Sequence, residues 1–127
     1  MENEEKIQYL ANVYYLAMVD GKVEHIEERL FDYIAKGIQA GYFETLKAMD
    51  LAQTPDFEVK YPMRLSDRIK CVEDLLLIAY ADEKLHEMEK KIVLDYANHL
   101  GIHKEQFVMI KEETMKRLKV LKQKLMI

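Results

Sequence analysis

The chain has 127 residues, 50% apolar and 33% charged, with 4 Gly, 2 Pro and a formal net charge of −4. That composition excludes a disordered chain, and the acidic balance argues against a dedicated nucleic-acid binder, whose phosphate contacts need a concentrated basic surface. The longest apolar run, Leu75 to Ala81, falls far short of the roughly 20 residues that cross a bilayer, so no membrane insertion is expected. The single Cys71 cannot close an internal disulfide, and Met1 leads into Glu2, Glu4 and Glu5, the wrong charge for a signal peptide. A reducing, cytoplasmic location is the expectation.

The first helix is predicted from about Asn3 to Val19, with Ile7, Leu10, Ala11, Tyr14, Ala17 and Met18 on one face at helical spacing. It stops at Asp20-Gly21, a turn pair in which Gly can take positive φ. A second helix follows from about Glu24, carrying Ile26, Leu30, Ile34 and Ile38, with Gly41 as its stop and Tyr42 packing back. Phe43, Leu46 and Met49 mark a shorter third helix ending near Gln53. Residues 54–64 hold both prolines and read as a loop whose Phe57, Val59 and Tyr61 pack on helices, since one isolated strand has nothing to pair with.

Ser66 is the expected N-cap of a fourth helix, which is apolar around most of its circumference from Leu75 to Ala81 and should be the central one. A fifth helix runs from about His86 to Leu100, stopped by Gly101 with Ile102 packing back. The sixth begins near Lys104. Run to the end of the chain, it is about 33 Å long at ~1.5 Å per residue.

One stretch occurs twice. Leu16 to Leu30 aligns on Ile78 to Ile92, with Asp20 on Asp82, Lys22 on Lys84, Val23 on Leu85 and Glu27 on Glu89. Every apolar position in that alignment meets an apolar partner, so the chain reads as two copies of a helix–loop–helix unit. The expected architecture is all-α: a single-domain bundle of six to seven helices with pseudo-two-fold symmetry. The first repeat covers about 4–53, the linker 54–64 and the second repeat about 65–127.

Asp20 and Asp82 fall at helix C-termini, where the macrodipole disfavours negative charge. A structural explanation is available: the Asp accepts loop N–H groups, and Glu27 and Glu89, at the third helical position, reach back to the N-caps Glu24 and His86. The functional reading is a weak divalent-cation site built from Asp20, Glu27, Asp82 and Glu89, because hard cations want several carboxylate oxygens. These are not EF-hand loops. His99 and His103 are four apart, but Gly101 between them should end the helix and break any pairing. No phosphate loop, paired Cys set or nucleophile elbow is present, and nothing marks Cys71 as a low-pKa nucleophile. Binding rather than turnover is expected.

The segment Ala17-Met-Val-Asp20-Gly-Lys-Val23-Glu-His-Ile-Glu27, echoed at Ala79-Tyr-Ala-Asp82-Glu-Lys-Leu85-His-Glu-Met-Glu89, resembles the tellurite-resistance protein B (TerB-like) family over roughly Ile7 to Gly101. Glu83 departs from the pattern, standing where the first copy has Gly21. The resemblance implies an all-helical, cytoplasmic bacterial domain linked to tellurite or general stress responses. It also implies metal binding through the repeated acids, and use of the same fold as an interaction module in a DnaJ-like co-chaperone. From Lys104 onward the chain holds seven Lys or Arg against three Glu. An overhanging last helix would expose Leu121, Leu125, Met126 and Ile127 beside Lys119, Lys122 and Lys124, an edge suited to an acidic protein partner or a homo-oligomer. The alternative is that these leucines complete the core.

Overall fold

The computed structural model describes residues 1–19, 21–81 and 87–126. Six helices follow one another: α1 (Asn3–Met18), α2 (His25–Gly37), α3 (Tyr42–Ala52), α4 (Leu65–Ala79), α5 (Glu87–His99) and α6 (Lys104–Lys124). No strand occurs among the described residues, and the fold is an all-α bundle.

α1 opens with Glu4 and Glu5 in its first turn, where acids complement the helix dipole. It buries Tyr9, Leu10, Val13, Leu16 and Ala17 at steps of one, three or four. α3 buries only the small residues Ala48 and Ala52, which let its backbone come close against α1. α4 is buried on nearly every side from Cys71 to Ala79 and forms the centre, touching α1, α2, α5 and α6.

The loop at 54–64 packs on helices as its composition implies. The Asn12 side-chain amide donates to Lys60 O at 2.8 Å, and Gln8 Nε2 donates to Glu58 O at 3.2 Å. Phe57 sits on Tyr15 with ring centroids 5.0 Å apart, and Tyr61 meets Tyr96 edge-on at 4.7 Å.

Two helix ends differ from the sequence expectation. α2 stops at Gly37 rather than Gly41, because Gln39 takes the left-handed conformation (φ 59°) and Ala40 N–H bonds back to Ala35 O at 2.9 Å. Gly41 instead has extended backbone and starts α3, so Tyr42 is 81% exposed and does not pack back. At α4 the N-cap is Arg64, with Arg68 N–H bonded to Arg64 O at 3.0 Å, and Ser66 lies inside the first turn.

α1 and α4 begin 62 positions apart, at Asn3 and Leu65, and so do α3 and α6, at Tyr42 and Lys104; α5 is described from Glu87 onward. The end of α5 also copies that of α2. Gly101, at the position equivalent to Gln39, has φ 70°, and Ile102 N–H bonds to Ala97 O at 3.1 Å. Both ends are Schellman caps that satisfy an orphan carbonyl.

Candidate functional site

Of the four acids expected to form a cation site, Asp20 and Asp82 lie outside the described residues, as do Glu83, Lys84, Leu85 and His86. Glu27 and Glu89 are the third residues of α2 and α5 and are only 4% and 2% exposed. Burying a carboxylate is costly without partners, so both positions must be compensated locally. Part of that is visible for Glu27, whose Oε1 accepts the Glu24 backbone N–H at 2.9 Å. The N-terminus of each helix also supplies partial positive charge. Among the described residues no three His, Cys, Asp or Glu side chains converge as a metal site would require. His99 ends α5, where Nδ1 bonds to Asp95 O at 2.9 Å, while His103 caps α6, so the two do not share one helix.

The last helix is about 31 Å long at ~1.5 Å per residue. Leu121 is not on an overhang: it is 4% exposed and belongs to the core with Leu118. Leu125 also packs against the core, because Arg29 of α2 donates to Leu125 O at 2.9 Å and ties the end of α6 down. Lys119 is exposed and Lys122 half-buried. Ile127 lies outside the described residues, and Met126 is 89% exposed.

A buried polar cluster escaped the sequence reading. Asp74, in the middle of α4, is fully buried. Its Oδ2 accepts the Tyr9 hydroxyl of α1 and lies 3.2 Å from Lys70 Nζ. Its Oδ1 has no hydrogen bond, and Arg117 Nη1 of α6 stands 3.9 Å away. Arg117 also reaches Glu73 at 3.8 Å and donates to Tyr33 Oη of α2 at 3.4 Å. One carboxylate therefore ties α1, α4 and α6 together, and Arg117 carries the link on to α2.

Burial pushes the Asp74 carboxyl above its ordinary value, against the opposing pull of Lys70, the Tyr9 hydrogen bond and Arg117. Burial likewise raises the Tyr9 phenol, with the Asp74 charge adding to it. The Cys71 thiol, fully buried beside this cluster, is pushed up to about 12, chiefly by desolvation. A signal for the cluster was present. Asn12 and Asp74 are 62 positions apart, so the same inward-facing polar position occurs in both halves, and both residues are fully buried.

Between α4 and α6 runs an open groove in two adjoining parts. One part, of about 450 Å³, is lined by Leu65, Ile69, Leu100, Ile102, Met109 and Ile110. The other, of about 460 Å³, shares Met109 and Ile110 and ends on Glu73, Glu113, Thr114 and Arg117.

Fold and geometry thus define a class: a small all-α bundle with a buried glutamate at the start of the second helix in each half. A family model described as Tellurite resistance protein TerB matches residues 47–112, from α3 into α6, more than half of the chain. The chain belongs to the TerB family. No curated protein and no solved structure matches it. Among the described residues no helix is long and apolar enough to cross a membrane.

Proposed function

We propose that this chain is a non-enzymatic, cytoplasmic accessory protein of the tellurite response that works by weak divalent-cation binding at its two acidic loops, with residues 1–127 acting as one domain. The observation that carries the reading is the pair of nearly buried glutamates, Glu27 and Glu89, each seven residues after a repeated aspartate in the sequence. Buried carboxylates are retained where they are paired or hold a cation. Asp20 with Glu27 on one loop, and Asp82 with Glu89 on the other, would supply the oxygens. Waters complete the shell, which fits a loosely held hard cation. The competing account is that all four acids only cap loops and the domain serves purely in protein interaction. It is favoured by the Glu24–Glu27 hydrogen bond and by the apolar groove between α4 and α6.

Calorimetric titration with Mg²⁺, Ca²⁺ and Zn²⁺ separates the two. Changing Asp20 and Asp82 to Asn should abolish binding and leave the metal-free protein as stable as before or more so, because like charges held near each other repel. A double variant that is clearly destabilised with or without metal makes the acids caps and removes the cation reading.

A further inference from the structure

The outward face of α6 carries a pattern that the core does not use. Thr114, Leu118 and Leu121 turn inward. Around the helix from these, Gln106, Met109, Glu113, Lys116, Val120 and Gln123 are all exposed, Met109 to 66% and Val120 to 62%; Gln106, Met109 and Glu113 border the groove to α4. Their spacing alternates three and four, which is the seam of a heptad repeat. Glu112 and Lys119, also exposed, flank it. Among the described residues none of Glu112, Glu113, Lys116 and Lys119 takes part in an ion pair.

This stripe matches its own reverse. Laid antiparallel on a second α6 about a two-fold axis through residues 114 and 115, it sets Met109 against Val120 of the second copy and Gln106 against Gln123 of the second copy. Glu113 then meets Lys116 of the second copy, and Glu112 lies next to Lys119 of the second copy. Each pairing occurs twice, as an isologous contact requires. The parallel arrangement stacks Glu113 on Glu113 and Lys116 on Lys116, so charge selects the antiparallel one.

We infer that the chain pairs with a second copy of itself through antiparallel packing of the outer faces of α6. This pairing goes beyond the cation reading and does not depend on it. The seam is about 25 Å long at ~1.5 Å per residue. One helix face of that length buries a few hundred Å² per partner, at or below the low end of specific interfaces, so the dimer is weak and transient. Four Glu–Lys contacts, two in the seam and two beside it, make it sensitive to salt.

Sedimentation of the full chain across concentrations up to about 1 mM, at low and high salt, tests the pairing. The wild type should show a monomer–dimer equilibrium that weakens as salt is added. Glu113→Lys alone and Lys116→Glu alone should each weaken it at least about tenfold, since each places like charges opposite. Mixing these two single variants restores both pairings, so the mixture should dimerise like the wild type. So should the swapped double variant Glu113→Lys/Lys116→Glu. A wild type that stays monomeric throughout overturns the inference, as do single reversals without effect or a mixture that fails to recover.

Discussion

Replacing Tyr9 with Phe removes one hydroxyl from the core and leaves the Asp74 carboxylate short of its donor from α1. Both residues are fully buried, so water cannot take the place of the lost hydrogen bond. A hydrogen bond to a charged group contributes about 1.5–3 kcal/mol. With an unfolding entropy of about 2.1 cal/mol/K per residue over 127 residues, that loss lowers Tm by about 6–11 °C. The deficit should depend on pH with a definite sign. The folded-state pKa of Asp74 is raised above 3.8, so the folded state binds the proton more tightly than the unfolded one. The ionised carboxylate therefore costs stability at any pH above that folded value. That cost fades as pH falls through the folded value toward 3.8. Tyr9→Phe removes a bond that favours the ionised form, so its penalty should be largest above the folded pKa and shrink as pH falls through it. Thermal unfolding of wild type, Tyr9→Phe, Asp74→Asn and the double variant, at neutral and mildly acidic pH, completes a cycle. In the Asp74→Asn background Tyr9→Phe should cost only about 0.5–1.5 kcal/mol, as for a neutral pair. An equal cost in both backgrounds, unchanged by pH, refutes the charged-acceptor account.

The matched caps make an opposed pair of predictions. Gln39→Gly should raise stability by about 0.5–1 kcal/mol because Gln39 holds φ 59°, read as a gain of a few degrees in Tm. Gly101→Ala should lower it by about 1 kcal/mol; nothing lies within 4 Å of the added Cβ, so the loss is conformational alone. Cys71, fully buried with its thiol pushed up to about 12, should resist a thiol-specific reagent in the native protein. Its labelling rate should follow global unfolding in urea, and fast labelling in buffer contradicts the packing described for α4.

The six helices were legible because apolar residues recur at helical spacing in each, and Asp20-Gly21 marked the break between α1 and α2 from residue types alone. What went astray was chosen by contacts between elements or by backbone torsions with no residue signature. Gly41 looked like a helix stop, yet Gln39 took the left-handed position two residues earlier and left Gly41 to begin α3. Leu121 could have been core or overhang from its spacing alone; Arg29, 96 positions from Leu125, holds the end of α6 against α2. Asp74 was hidden for a related reason. A periodicity reading treats an acid among Val72, Leu75 and Leu76 as a gap in the stripe. Its donor Tyr9 is 65 positions distant, and only the fold brings them together. The equivalence of Asn12 with Asp74 was the one trace of it in the sequence.

The cation reading is tested most directly by backbone amide NMR during titration with a divalent cation. Residues about Asp20 to Glu27 and Asp82 to Glu89 should shift together, at similar midpoints in the weak range expected of a partly hydrated site. Shifts absent from both loops, or confined to the groove between α4 and α6, would contradict it and leave an interaction module in its place.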